Sequence, residues 1–148
     1  MAETRSSIRI RASLRDDLRL LAAELARWRD MPMTMVSLLE EGVEGLFQTP
    51  LAQWVAWAKE GRASVLVGEP SLSFRIRSDL SKNLGILAAQ ISKQSAIPIT
   101  KIHLIEEAGR RIADQVKTEL KELEELEQSL TVEIETRSAK LHRTPANS

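Results

Sequence analysis

Arginine and serine alternate with apolar residues in two short stretches of the chain, SIRIRASL from Ser7 and SFRIRSDL from Ser73. A guanidinium group carries its N–H donors in a rigid fork, so it can bond two neighbouring acceptors at once or hold a phosphate. The two acceptors on the major-groove edge of guanine form one such pair, and a bidentate contact there gives about 1–3 kcal/mol of discrimination between bases. These residue types therefore suit recognition of a polar surface, provided that they share one exposed face.

The alternation indicates two β-strands, each with one buried face. Successive side chains of a strand point to opposite faces, so a period of two separates the apolar residues from the polar ones. The apolar face holds Ile8, Ile10, Phe74 and Ile76, and the polar face holds Ser7, Arg9, Arg11, Ser73, Arg75 and Arg77.

The two stretches belong to a longer internal duplication. A shift of 66 positions aligns residues 7–48 with residues 73–114 without a gap, and 14 of the 42 pairs are identical. The identities include Arg9/Arg75, Ile10/Ile76, Arg11/Arg77, Leu14/Leu80, Leu18/Leu84, Leu21/Leu87, Ala22/Ala88, Pro32/Pro98, Thr34/Thr100, Leu38/Leu104 and Glu40/Glu106. Many of them recur at the spacing of a buried helix face, which chance similarity would not produce.

After each strand the period changes to that of an α-helix. The apolar stripes are Leu14, Leu18, Leu21, Ala22, Leu25 and Trp28, and Leu80, Leu84, Leu87, Ala88 and Ile91. Ser13 and Asp79 are the predicted N-caps, because their short polar side chains suit that position. The helices should end before DMPMT and AIPIT, since a residue that precedes proline avoids the helical conformation.

A second helix follows in each copy, with Thr34 and Thr100 as its predicted N-caps. Its stripes are Val36, Leu38, Leu39, Val43 and Leu46, and Ile102, Leu104, Ile105 and Ile112. A single strand–helix–helix unit leaves its strand unpaired and its core small. Two units solve both problems if their strands pair antiparallel and their four helices cover the apolar face of that ribbon. The expected fold is therefore mainly α.

This pattern resembles the ribbon-helix-helix DNA-binding family (MetJ/Arc repressor-like), over residues 5–48 (unit 1) and 71–114 (unit 2). Two units in one chain are similar to the TraY-type conjugation proteins, in which one polypeptide forms a pseudo-dimer. The resemblance implies sequence-specific binding of double-stranded DNA at a near-palindromic site, with the ribbon in the major groove. It implies a transcriptional repressor or an accessory factor of plasmid transfer or maintenance.

The resemblance also implies the residues that contact bases. Matching the first helix leucine to Leu14 and Leu80 assigns base contacts to Arg5, Ser7, Arg9, Ser71, Ser73 and Arg75. Arg11 and Arg77 stand where family members often carry proline or serine, so these two either read bases or clasp phosphate. The mismatch between Arg5 and Ser71 implies an imperfectly symmetric site.

A backbone phosphate is the ligand that the resemblance implies for the start of each second helix. Free N–H groups and the helix dipole favour an anion there in any case. The candidate residues are Thr34, Met35, Val36, Thr100, Lys101 and Ile102. Lys101 adds a cation in one unit only, and residues 73–114 carry a formal charge of +3 against −1 for residues 7–48. Unit 2 should therefore hold phosphate more strongly.

Residues 49–70 are predicted to connect the two units through a short helix. Pro50 permits a helix start, Gly61 suits a helix end, and SVLVG from Ser64 could form a short strand. Trp54 and Trp57 are interpreted as packing residues rather than a partner surface.

Residues 115–148 form a charged amphipathic segment. Val116, Leu120, Leu123, Leu130, Ile134 and Leu141 approximate a heptad seam that Glu127 interrupts. The segment could extend the preceding helix, form a coiled coil in a homo-oligomer, bind a protein partner, or pack on its own domain. An antitoxin-like protein with a partner-binding tail is the alternative function, and a non-DNA-binding assembly scaffold is a third.

Several function classes have no support in the sequence. The chain has 21 basic and 21 acidic residues, no cysteine and no apolar run of the roughly 18 residues that span a bilayer. MAETRSS lacks the apolar core of a signal peptide, so we expect a cytoplasmic, bacterial-type protein associated with the nucleoid or a plasmid and with no membrane. The two histidines, His103 and His142, lie in different segments, and no catalytic or phosphate-loop motif occurs. We expect no enzymatic activity, no metal and no cofactor.

Overall fold

The computed structural model describes residues 4–63 and 70–142, with side chains up to residue 139. The described chain is mainly helical and contains one two-stranded sheet. Its elements are β1 (Arg5–Arg11), α1 (Ala12–Arg29), α2 (Met35–Leu46), α3 (Leu51–Lys59), β2 (Ser71–Arg77), α4 (Ser78–Ser95) and α5 (Lys101–His142).

The sheet is an antiparallel ribbon of β1 and β2. Ile8 lies opposite Phe74 at its centre, with Arg5 opposite Arg77 at one end and Arg11 opposite Ser71 at the other. Each strand passes directly into a helix. The antiparallel pairing of the two strands and the helical content agree with the sequence-based expectation.

The predicted N-caps of α1 and α4 are wrong. Both helices begin one residue before the predicted cap, at Ala12 and Ser78, and neither has a side-chain cap. The ribbon itself supplies the acceptors, because Ala12 N–H donates to the Pro70 carbonyl at 3.0 Å and Ser78 N–H to the Thr4 carbonyl at 2.9 Å. Ser13, predicted as a cap, instead accepts a hydrogen bond from the Arg11 guanidinium at 3.4 Å.

The first helices end where the prolines predict. Their C-caps, Asp30 and Ala96, adopt the left-handed conformation with φ of 51° and 60°. The cap of the following helix is also confirmed in unit 1, where the Thr34 hydroxyl accepts the Ser37 N–H at 3.0 Å and the Ser37 hydroxyl accepts the Thr34 N–H at 3.0 Å.

The core lies between the inner face of the ribbon and the helices. The predicted stripes supply most of it, including Ile8, Ile10, Leu14, Leu18, Leu25, Leu38, Leu39, Val43, Ile76, Leu80, Leu84, Ile91, Leu104, Ile105 and Ile112. At the crossing of α2 and α5 a Cβ on Gly42 would lie 2.8 Å from the Ala108 carbonyl oxygen, so glycine permits that close approach. Ile102 was predicted on the buried stripe but is 44% exposed, so this prediction is wrong.

Helix α3 occupies the connecting segment and packs against α4. Trp54 and Trp57 are buried in an edge-to-face contact with ring centroids 5.1 Å apart. The Trp54 indole N–H donates to the Leu46 carbonyl at 3.2 Å, and the Arg111 guanidinium lies 4.5 Å from the centre of the Trp54 ring. Both tryptophans are therefore packing residues, as predicted, whereas the predicted SVLVG strand lies outside the described residues.

The second helix of unit 2 and the amphipathic segment form one continuous helix, α5, of 42 residues. Val116 and Leu120 are buried, and the Arg29 guanidinium pairs with Glu119 at 3.0 Å where α5 crosses α1. The side chains of residues 124–139 are exposed. Helix extension is thus the alternative that the structure supports. None of the helices in the described ranges combines the length and the apolar character needed to cross a membrane.

Candidate functional site

The outer face of the ribbon collects the polar side chains of both strands. All of the residues predicted to contact bases are exposed there: Arg5, Ser7, Arg9, Ser71, Ser73 and Arg75. Arg11 and Arg77, whose role the sequence left open, share this face but are only half-exposed. The ribbon therefore brings the predicted residues together and also separates them into a centre and two ends.

The centre of the outer face is nearly two-fold symmetric. Arg9 lies opposite Ser73 and Ser7 opposite Arg75, and the Ser7 and Ser73 hydroxyl groups form a hydrogen bond of 2.7 Å. Over residues 4–63 and 70–142, the Arg9 and Arg75 side chains have neither an ion pair nor a side-chain hydrogen bond. Two exposed guanidinium groups thus flank a serine pair, and their donors remain available to a ligand.

At one end of the ribbon a buried carboxylate holds Arg11. The Glu106 side chain, only 2% exposed, accepts the Arg11 guanidinium Nε–H at 2.6 Å and the Arg11 backbone N–H at 3.3 Å. This glutamate belongs to α5, so the contact fastens the end of β1 to the second helix of the other unit. Glu106 therefore both neutralises Arg11 and serves the backbone at the start of α1.

The other end of the ribbon has the equivalent arrangement. Glu40 of α2 accepts the Arg77 backbone N–H at 2.8 Å and lies 3.5 Å from the Arg5 guanidinium. The Arg77 guanidinium pairs with Glu44 and lies 3.6 Å from Asp79. Burial acts to lower the pKa of Arg77, but the surrounding carboxylates, Asp79 above all, raise it above its ordinary value. Arg77 is therefore firmly charged and is held by its own chain.

Glu40 and Glu106 are functional in positioning the ribbon, and the sequence reasoning did not assign them that role. The signal was present, because these two glutamates are identical and occupy matching positions in the duplication. A charged residue retained within a buried helix stripe suggests a specific partner, since buried carboxylates are rarely left unpaired.

The starts of α2 and α5 differ in their capping. Thr34 caps α2 reciprocally with Ser37, ahead of the Met35 and Val36 amides that have no carbonyl partner within the helix. At the start of α5, His103 replaces that serine, and its Nδ1 accepts the Thr100 N–H at 3.0 Å. Because Nδ1 accepts this proton, the ring is neutral in this arrangement. Burial lowers the pKa of His103, which favours the same state.

The start of α5 lies beside the centre of the ribbon. A cleft of about 210 Å³ is lined by Ser7, Ile8, Arg9, Lys101, Ile102 and Ile105. The Lys101 ammonium group donates to the Ser81 hydroxyl at 3.1 Å, so its charge lies over the start of α4. The predicted phosphate-binding residues of unit 2 are therefore adjacent to the predicted base-contacting residues of β1.

Comparison of the chain with protein-family models, with curated proteins and with solved structures gives no significant match.

Proposed function

We propose that the chain is a sequence-specific double-stranded DNA-binding protein that inserts its two-stranded ribbon into the major groove. Units 1 and 2 are then two copies of a ribbon-helix-helix unit within one polypeptide. The corresponding cellular role is transcriptional repression or an accessory function in plasmid transfer or maintenance, in the bacterial cytoplasm. The target would be a near-palindromic site, because Ser7 and Arg9 match Ser73 and Arg75.

The observation that carries this proposal is the pair of exposed guanidinium groups on the ribbon, Arg9 and Arg75, which have no side-chain partner among the described residues. The major groove admits a two-stranded β-ribbon, and bidentate contact of arginine with guanine is its commonest specific contact. Within the described ranges, these two like charges on a narrow surface form no ion pair that would stabilise the fold. They do suit a ligand that offers paired acceptors and negative charge.

The ribbon ends have a different part in this proposal. Arg11 and Arg77 are engaged by carboxylates of the same chain, so we assign them to positioning the ribbon rather than to reading bases. Arg5 lies near Glu40 and takes part at one edge of the site, whereas its counterpart in the duplication, Ser71, lies at the other end of the ribbon. The proposed site is therefore symmetric at its centre and asymmetric at its edges.

Phosphate contacts complete the proposed interface. The exposed amides at the start of α2 and α5 and the capping residues Thr34 and Thr100 would each hold a backbone phosphate beside the groove. Lys101 gives unit 2 an additional cation, for which unit 1 has Met35.

A binding titration tests the proposal most directly. DNA from upstream of the encoding gene is compared with a scrambled duplex for the unmodified chain, Arg9→Ala and Arg75→Ala. Each variant should lose roughly 5- to 150-fold in affinity for the specific duplex, with a much smaller change for the scrambled one. Arg19→Ala, which removes an exposed arginine of α1, is the matched control. Unchanged discrimination in both ribbon variants would refute the proposal.

The phosphate contacts have their own signature in the salt dependence of binding. Lys101→Met copies the residue of unit 1 and should weaken binding to all duplexes alike. The slope of log affinity against log salt should fall by about 1, the change for one lost phosphate contact. An unchanged slope would remove Lys101 from the interface.

A further inference from the structure

The outer part of α5 carries an apolar face that the described part of the chain does not cover. Leu126, Leu130 and Ile134 are 57%, 49% and 64% exposed. Together with Trp28 and Leu123 they line a groove of about 350 Å³ that also includes Glu127. Helices in proteins owe most of their stability to packing of an amphipathic face, so an uncovered face of this length suits a partner.

The residues of this face follow a coiled-coil spacing. Val116, Leu120, Leu123, Glu127, Leu130, Ile134 and Arg137 are separated alternately by four and three positions. The first two are buried in the body of the protein, and the free seam begins at Leu123. Within it, one acidic and one basic residue interrupt the apolar positions. These two charges restrict the direction and the register of a partner helix, because each needs an opposite charge facing it.

We propose that a second copy of the chain covers this face, with the two α5 helices antiparallel and Glu127 of each copy facing Arg137 of the other. In this register the residue numbers of each facing pair sum to 264. Leu130 of each copy therefore lies opposite Ile134 of the other. Both charged positions of the seam are paired and the apolar positions meet one another. The face is thus complementary to itself, as a two-fold interface requires.

Other arrangements of two α5 helices lack this complementarity. A parallel pair in register would set Glu127 against Glu127 and Arg137 against Arg137, and like charges in a desolvated seam are strongly unfavourable. An antiparallel pair shifted by one seam position would set Glu127 against an apolar residue and leave its charge unpaired. The Glu133 carboxylate, 2.7 Å from the Arg137 guanidinium on the same helix, is compatible with the proposed pairing because arginine has donors for both.

The antiparallel arrangement also fits the shape of the molecule. The body of each copy lies at the Leu120 end of α5, so the two bodies come to opposite ends of the paired segment. The groove beside Trp28 then receives the far end of the second copy's helix. Val132, 61% exposed, lies on the opposite side of α5 and stays outside this interface. The interface does not involve the ribbon, so it stands independently of DNA binding.

Charge reversal tests the pairing in solution without DNA. By sedimentation equilibrium the full chain should have twice its monomer mass of 16.6 kDa. Glu127→Arg alone would face Arg137, and Arg137→Glu alone would face Glu127, so each variant should sediment as a monomer. Glu125→Arg makes the same charge change on the outer side of the helix and should leave the mass unchanged.

Together with the loss of association in the single variants, restoration tests whether position 127 of one copy faces position 137 of the other. An equimolar mixture of the two single variants should regain the double mass, because position 127 of one variant then faces the opposite charge at position 137 of the other in both layers. The chain that carries both reversals should also regain it. Circular dichroism at 222 nm checks that α5 stays helical in each variant. A monomeric unmodified chain, or double mass in both single variants, would overturn the proposal, as would failure of the mixture to associate.

Discussion

Arg9 and Arg11 lie two residues apart on the same face of the same strand, yet their surroundings are opposite. Arg9 is exposed and has no side-chain partner in the described ranges, whereas Arg11 is bound by the buried carboxylate of Glu106. In β2 the same contrast separates Arg75 from Arg77. The centre of the ribbon therefore presents charge outward, and its ends use the same residue type to fasten the ribbon to the helices.

The difference follows from where the second helices lie. The α5 helix contacts β1 and α2 contacts β2, so a carboxylate on each reaches the point where the strand becomes a helix. At the middle of the ribbon the Arg9 and Arg75 side chains are exposed. Position along the strand, rather than residue type, decides which arginine binds its own chain.

The largest effect should come from removing the carboxylate that holds a ribbon end. Glu106→Ala removes the carboxylate that pairs with the Arg11 side chain, which is 15% exposed, and that accepts the Arg11 N–H. Breaking a buried pair from one side costs about 3–5 kcal/mol of unfolding free energy. Urea denaturation measures it. Glu41→Ala, which removes an exposed neighbour in α2, should change stability by less than about 0.5 kcal/mol. Equal effects of the two would contradict the positioning role.

Lysine substitutions of Arg9 and Arg11 in β1 should have different effects on DNA discrimination and on stability. Arg9→Lys keeps the charge but loses the fork, so discrimination between duplexes should fall by about 1–3 kcal/mol with little change in stability. Arg11→Lys should lower stability by about 1.5–3 kcal/mol through the weakened bond to Glu106 and leave discrimination nearly unchanged. The two measurements are a urea titration and a pair of DNA titrations. Reversed phenotypes would show that Arg11 reads the bases.

The smallest effect concerns the cap of α5. Burial lowers the pKa of His103 below its ordinary value of 6.5, so the unfolded chain binds that proton more tightly than the folded chain. Stability should therefore fall as the pH drops from 6.5 through the lowered pKa, where protonation of Nδ1 breaks the bond from the Thr100 N–H. Below that pKa both states are protonated and the loss is complete.

His103→Ser copies Ser37 of the other unit and should keep the cap while removing this part of the pH dependence. Unfolding free energy measured from pH 7.5 to 5 checks it, with His142→Ser as the control for the other histidine. A pH dependence that survives His103→Ser would assign it to other groups.

Much of the fold was predictable because the strand period and the helix period can each be recognised in a short stretch of sequence. The alternation in IRIR and the helical spacing from Leu14 onward each indicate their own structure, and the prolines at 32 and 98 mark the ends of the first helices. The predicted N-caps were wrong because the hydrogen-bond acceptors at the starts of α1 and α4 come from residues far away in sequence. Local preference could not reveal that a neighbouring strand would supply them.

The sequence predicted which residues belong to the candidate site, but not which of them are bound by other parts of the same chain. Parity along the strand identified which side chains face outward, and their exposure agrees with it. Glu40 and Glu106 are identical residues at aligned positions of the two units. Their distance to the strand ends, however, depends on how α2 and α5 pack. The Lys101 contact with Ser81 also depends on the packing of two helices.

The sequence alone indicated most of the buried residues and the polar face of each strand, because side-chain periodicity is a property of positions close together along the chain. Only the tertiary structure decided that Arg11 and Arg77 bind carboxylates while Arg9 and Arg75 bind none in the described ranges, and that the described residues leave an apolar face of α5 uncovered. Those outcomes depend on distances between segments far apart along the chain, and packing sets such distances.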